Sequence, residues 1–170
     1  SIARRFNGTI VPESEIGKGS TFFVYLPVSD QPAVFELSPE KEPLSQDKFK
    51  SKILVMDDEQ LLKDMLTRIL EYFGCEIVQT SHGAEAVESY RKAMEQGKPF
   101  DLVILDLTIP GGMGGRETLA ELLKVNSAVK AVVSSGYSTD MKDYAELGFK
   151  AKINKPYTLN ELDKVLRELL

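Results

Sequence analysis

The chain contains one cysteine, one histidine and no tryptophan in 170 residues. A lone Cys75 excludes an internal disulfide and any cysteine-rich zinc site, and it fits a reducing compartment. A lone His82 excludes every mechanism that needs two imidazoles. The longest apolar runs are four to six residues, far short of the ~20 that cross a bilayer. No basic segment leads into an apolar core and a small-residue cleavage site, so no signal peptide is expected. Positive charge is also in deficit, with 21 Lys and Arg against 26 Asp and Glu and a formal net charge of −5. That balance leaves no electrostatic footprint for nucleic acid. The expectation is a cytoplasmic segment with neither nucleic-acid nor membrane contacts.

What is present is the composition of a folded chain. Apolar residues make up 42% and charged residues 28%, which excludes a wholly disordered or fibrous protein. The length exceeds a typical domain of roughly 100–150 residues by a small margin. Four of the eight prolines, Pro27, Pro32, Pro39 and Pro43, crowd between residues 27 and 43 among Ser, Gln, Glu and Lys. Such a stretch lacks hydrophobic periodicity and reads as a solvated, partly extended linker. The expected organisation is a short segment over 1–28, a linker over 29–50 and one core over 51–170. Most of the net acidity falls in the last block, which holds 15 basic and 19 acidic residues.

Within that block, short apolar runs rich in β-branched residues alternate with helical spacing. Ile53-Leu54-Val55-Met56 is a buried-strand run. Leu62, Met65, Leu66, Ile69 and Leu70 then recur at helical intervals as far as Gly74. Residues 76–80 read as a second strand, before a helix carrying Ala86, Val87, Tyr90 and Met94. Residues 102–105 form a third strand, followed by a glycine-rich loop and a helix with Leu119, Leu122 and Leu123. A fourth strand over 129–134, a short helix near 139–147 and a poor strand over 150–153 follow. A last helix places Leu159, Leu162, Val165, Leu166 and Leu169 on one face. Five strand–helix units in strict alternation predict an α/β fold, with a parallel sheet covered by helices on both faces. In such sheets ligands sit beyond the carboxyl ends of the strands.

Those ends carry the chemistry. Strand one runs into Asp57-Asp58-Glu59, strand three into Asp106, strand four into Ser134-Ser135 and strand five into Asn154-Lys155-Pro156. Each has an ordinary reading by itself. Asp58 or Glu59 could cap the following helix, Asp106 and Ser135 could be turn residues, and Lys155 could be solvated. Together they are what a metal-assisted phosphate site requires. Converging carboxylates disfavour one another's ionisation, and a divalent cation relieves this. Hard oxygen donors suit Mg²⁺, which keeps waters for an incoming phosphate.

The segments KILVMDDE, DLVILDLTIPGGMGG, AVVSSGYS and INKPY resemble the motifs of a two-component response-regulator receiver domain, over roughly residues 51–170. The resemblance implies a flavodoxin-like, doubly wound sheet of five parallel strands in the order 2-1-3-4-5, with five helices. It implies that Asp106 accepts phosphate from a phosphohistidine, on a kinase core or a phosphotransfer protein. Mg²⁺ would be held by Asp57, Asp58, Asp106 and the backbone carbonyl of Thr108. Ser135 and Lys155 complete the implied catalytic set. Ser135 would bond the phosphate and draw the 134–138 loop inward, and the Lys155–Pro156 bond is implied to be cis. One position departs from the family, which often has Tyr or Phe three residues before the lysine. This chain has Lys152 there, so loop and helix shifts are expected to replace an aromatic switch, with Tyr137 and Phe149 no substitute for it. The run Gly111 to Gly115 lacks the Gly-Lys-Ser/Thr of a nucleotide cradle and reads as a flexible loop. His82 reads as a loop residue, not a phosphodonor.

The first residues hold two strand-like runs, Thr9-Ile10-Val11 and Phe22 to Leu26, a hairpin marginal by itself. The string NGTIVPESEIGKGSTFFVYLPV resembles the C-terminal end of a histidine-kinase ATPase domain, with Gly17, Gly19 and Ser20-Thr21-Phe22 as its last glycine box. Its asparagine box, its Asp-x-Gly-x-Gly box and a dimerisation helix with a phosphorylatable histidine are missing. No ATP turnover is expected, and the only catalysis expected is phosphorylation and dephosphorylation of the chain's own aspartate. The implied parent is a hybrid sensor kinase, which could be membrane-attached. Two other functions compete. A receiver-shaped interaction module would never be phosphorylated. A haloacid-dehalogenase-like phosphatase needs an aspartate two residues after Asp106, where this chain has Thr108.

Overall fold

The computed structural model describes residues 7–28, 49–136 and 144–170. The linker expected over 29–50 lies outside the described residues except for its last two. Tyr137 and most of the helix expected near 139–147 also lie outside them. The chain divides into two compact units, residues 1–41 and 42–170.

In the smaller unit, β1 (Thr9–Glu15) and β2 (Gly19–Tyr25) pair antiparallel, from Thr9 opposite Tyr25 to Glu15 opposite Gly19. Gly17 and Gly19 make the turn with φ of 81° and 108°, left-handed values that cost glycine little. The Lys18 amide donates to the Glu15 carbonyl at 3.0 Å and closes it. Every residue of both strands is exposed, Val11, Phe22 and Phe23 included. The hairpin therefore buries no core of its own.

In the larger unit, β3 (Lys52–Met56), β4 (Glu76–Thr80), β5 (Leu102–Asp106), β6 (Ala131–Ser135) and β7 (Ala151–Asn154) form a parallel sheet ordered β4-β3-β5-β6-β7. Counted within the unit, this is the 2-1-3-4-5 order of a flavodoxin-like sheet. The helices are α1 (Gln60–Tyr72), α2 (Gly83–Glu95), α3 (Gly115–Val125) and α4 (Leu159–Leu169). Five helices were expected and four lie among the described residues. Of the fifth, only Tyr144 and Ala145 are described as helical.

Successive side chains of a strand point to opposite faces, and here both faces are covered. Leu54, Met56, Val103, Leu105, Ala131 and Val133 pack with Ala86 and Tyr90 of α2 and Leu119 and Leu122 of α3. Ile53, Val55, Leu102, Ile104, Val132 and Ile153 pack with Leu66 and Leu70 of α1 and Leu162 and Leu166 of α4. This is why the central strands read as unbroken apolar runs. Burying each such side chain contributes about 1.5–3 kcal/mol. Phe149 belongs to the first cluster and is a packing residue.

Cys75 lies between α1 and β4, buried against the second cluster. Burial pushes its thiol up to about 11, with the Asp101 charge adding in the same direction. At pH 8 only about one thiol in a thousand is ionised, and the thiolate is the nucleophile. Native protein is therefore expected to resist iodoacetamide at pH 8, and denatured protein to take up one equivalent, as read by intact mass. Native alkylation at the rate of a free small thiol would contradict the burial.

Candidate functional site

The register of the sheet brings the strand ends level. Met56 pairs with Leu105, Asp106 with Ser134 and Ser135 with Asn154. Asp57 therefore leaves β3 beside Asp106, and Lys155 leaves β7 beside Ser135. The Asp57 amide also donates to the Thr80 carbonyl at 3.2 Å, which ties β3 to β4 at this edge.

Asp57 is 2% exposed and Asp106 8%, while Asp58 is exposed. The Lys155 ammonium bridges the two buried carboxylates, with Nζ 2.6 Å from Asp57 Oδ2 and 2.8 Å from Asp106 Oδ2. The contact with Asp106 is a hydrogen bond. The contact with Asp57 is an ion pair without hydrogen-bond alignment, so Oδ2 remains a buried oxygen that no donor addresses squarely. Asp57 Oδ1 accepts from the Glu59 amide at 2.9 Å. Glu59 stands at the N-cap of α1, but its side chain caps nothing, so the capping alternative raised for this triplet does not account for its acids. Asp106 Oδ1 accepts from the Thr108 amide at a long 3.5 Å.

Burial raises the Asp106 carboxyl above its ordinary value, and the Asp57 charge adds to this. The Lys155 hydrogen bond and charge oppose the rise without cancelling it. For Lys155, burial alone would lower the ammonium, but its hydrogen bond to Asp106 and its close contact with Asp57 outweigh that and hold it above its ordinary value. The site thus combines an acceptor carboxyl whose charge burial disfavours with a cation that it retains.

One carboxylate oxygen from each of Asp57, Asp58 and Asp106 lies within 4.8 Å of the other two. Three hard oxygens at this spacing, with a buried Asp57 oxygen that lacks an aligned donor, fit a small divalent cation. Ser135 ends β6 and is 2% exposed. Lys155 is held from behind, its amide donating to the Ser135 carbonyl at 3.0 Å. Asn154 donates its amide and its Nδ2 to Glu161 Oε1 at 3.0 and 2.9 Å. The Lys155–Pro156 bond is cis. All six residues singled out from the sequence, Asp57, Asp58, Asp106, Thr108, Ser135 and Lys155, therefore lie at one edge of the sheet.

A family model for the response regulator receiver domain matches residues 53–167. The chain belongs to that family. Sensor kinase CckA of Brucella abortus (strain 2308) is 28% identical over 180 residues, covering 99% of this chain but only 18% of the kinase. The chemotaxis protein CheY of Listeria innocua serovar 6a is 32% identical over 121 residues, covering 69% of this chain and 94% of that one. Among solved structures, the CheX–CheY–BeF₃–Mg²⁺ complex from Borrelia burgdorferi superposes with a TM-score of 0.63 at 27% identity. It covers 71% of this chain and 90% of that one. The receiver matches account for about two thirds of this chain, and the kinase match extends over the hairpin as well.

Several features of this receiver's site escape sequence reading. His82 is the N-cap of α2, its Nδ1 accepting from the Glu85 amide at 3.4 Å, and Ser81 accepts from Lys63, a lysine only 3% exposed. Lys152 sets its ammonium 5.7 Å from the centroid of the buried Tyr144 ring. The glycine-rich run is more than a flexible loop. A Cβ on Gly115 would lie 2.7 Å from the Asp106 carbonyl oxygen, and one on Gly114 2.6 Å from that of Leu107. Helix α3 thus starts against the backbone of the aspartate strand, which only glycine allows. Gly115→Ala is expected to cost about 1–3 kcal/mol by overpacking, measured as a lower urea midpoint at unchanged m-value. An unchanged midpoint would mean that α3 can retreat freely.

Proposed function

We propose that Asp106 is the phosphoacceptor of this receiver and takes its phosphate from a phosphohistidine in a Mg²⁺-dependent reaction. The observation that carries this reading is the convergence of three carboxylates and one bridging ammonium at the sheet edge. Asp57, Asp58, Asp106 and the Thr108 carbonyl are the proposed ligands. Bound there, Mg²⁺ would neutralise and align the oxygens of the transferring group. An Asp106 carboxylate oxygen attacks phosphorus. The O–P bond forms as the N–P bond of the donor breaks, and the imidazole leaves with that electron pair and takes up a proton. Lys155, a compact point charge held above its ordinary pKa, holds Asp106 in place and offers its ammonium to the incoming oxygens. The Ser135 hydroxyl donates to the phosphate once it is attached. Movement of the 134–138 loop belongs to this proposal, and its residues beyond 136 lie outside the described ones.

The same reading assigns the parent. The kinase relative matches nearly the whole chain, and the hairpin leaves its apolar residues exposed, as a piece cut from a larger sheet would. Residues 1–28 would then end an ATPase domain, 29–50 link it and 51–170 receive its phosphate, from the kinase core itself or from a phosphotransfer protein. The location proposed for this segment is the cytoplasm. No helix among the described residues is long and apolar enough to cross a membrane.

The test is labelling by a small phosphodonor such as acetyl phosphate, with Mg²⁺ and then with excess chelator. Label that appears with Mg²⁺, vanishes with chelator and maps to Asp106 is expected. No label under any condition favours the phosphorylation-independent interaction module, and label that ignores the chelator overturns the Mg²⁺-dependent reaction.

A further inference from the structure

Ser134 and Tyr157 stand next to the site, and the roles assigned so far use neither. Ser134 is the penultimate residue of β6 and is 1% exposed. Because successive strand residues face opposite ways, its hydroxyl leaves the sheet on the side away from that of Ser135. There it meets the Tyr157 hydroxyl at 2.9 Å, inside the protein. Tyr157 is 8% exposed and packs in the cluster that α1 and α4 share.

The position of this pair matters more than its strength. In the ladder Ser134 stands between Asp106 on one side and Ile153 on the other. Its carbonyl accepts from the Leu107 amide, the residue after the acceptor, at 3.2 Å. Its hydroxyl reaches Tyr157, two residues beyond Lys155. One residue therefore touches both the acceptor turn and the lysine turn. Two buried hydroxyls satisfied by one another add little net stability over an apolar pair of the same shape. A buried hydroxyl without its partner is costly, however, so the pair penalises any arrangement in which the lysine turn drifts from β6. Burial also pushes the Tyr157 hydroxyl up to about 12, against the opposing pull of its Ser134 bond. It keeps its proton at any ordinary assay pH.

We propose that the Ser134–Tyr157 hydroxyl pair positions Lys155, holding the turn after β7 against β6 so that the ammonium reaches Asp57 and Asp106 together. Tyr157 is a positioning residue and touches no reacting atom. The inference rests on the reading of Asp106 as acceptor, and the test separates the two.

Tyr157→Phe, Ser134→Ala and the double variant are labelled with acetyl phosphate and Mg²⁺ across donor concentrations. Each single variant is expected to lower the saturated rate about fivefold, the factor equivalent to one net hydrogen bond. The donor concentration at half-saturation and the calorimetric Mg²⁺ affinity should stay at parent values. The double variant should lose no more than either single one, because they share one contact. In a Lys155→Ala background, Tyr157→Phe should change nothing further, which a merely structural role would not produce. If Tyr157→Phe folds poorly, Ser134→Ala carries the same comparison. A parent rate in both single variants, additive losses, or an equal loss in the Lys155→Ala background overturns the proposal. Labelling that persists in Asp106→Asn overturns the acceptor reading. If that variant is silent while Tyr157→Phe runs at the parent rate, only the positioning role fails.

Discussion

Asp106→Asn is expected to take up no detectable phosphate from acetyl phosphate in Mg²⁺, while folding as the parent does. The amide matches the carboxylate in shape but has no anionic oxygen to attack phosphorus. Stability should hold because of how the fold treats this charge. Burial raises the Asp106 carboxyl above its ordinary value. The folded state therefore binds a proton more readily than the unfolded one, and ionisation removes stability as pH rises from the ordinary carboxylate pKa through the folded one. A neutral amide is free of that loss, and Lys155 keeps Asp57 as a partner at 2.6 Å. The variant should melt no lower than the metal-free parent at pH 7. Retained labelling, mapped to any other residue, would sink the assignment. A large fall in melting temperature would instead mean that the bridge to Lys155 outweighs desolvation.

Lys155→Ala is the second large effect, a fall of about a hundredfold or more in labelling rate, the scale set by removing one preorganised donor from a developing charge. The ammonium is within 2.8 Å of both buried carboxylates, and among the described cations none other pairs with Asp57 or Asp106. Its loss also removes two of the three influences that lower Asp106, its hydrogen bond and its charge, and leaves burial and Asp57 opposed only by the Thr108 amide. The Asp106 carboxyl of the metal-free variant should therefore titrate at higher pH than in the parent, as read by carboxyl carbon NMR. In the parent the lysine's own pKa is raised. The stability it contributes is complete below its ordinary pKa and is lost only as pH rises through the higher folded value. The lysine's own titration should accordingly add no pH dependence to the stability difference between parent and variant from pH 6 to 9. A parent-like rate would show that the metal alone suffices to neutralise the site.

The sequence was most informative where one local signal sufficed. The runs at 53–56 and 102–105 announced strands buried on both faces, and the sheet has them there. The spacing of Leu62, Leu66, Ile69 and Leu70 announced α1, with Gly74 past its end at φ 86°. Asp57, Asp58, Asp106 and Ser135 could be nominated because they follow apolar runs, and Lys155 because it follows the weaker fifth strand, since strand ends of a parallel sheet share an edge. The misjudged details turn on the local backbone, which decides which nearby amide each side chain can reach. Asp58 or Glu59 was the capping alternative, and Glu59 does hold the N-cap of α1, but its side chain makes no capping bond. His82 looked like a loop residue and caps α2.

By itself, then, the sequence determined the alternation of elements, the order of the sheet through its family motifs, and the residue types delivered to its carboxyl edge. These follow from periodicity and from short motifs, which are local. Only the tertiary structure decided that Lys155 bridges two carboxylates, that Gly114 and Gly115 admit the backbone at Asp106 and Leu107, and that Ser134 meets Tyr157. Each joins different strand ends or a helix start to a strand. Such distances come from strand register and close packing, which no stretch of sequence encodes alone.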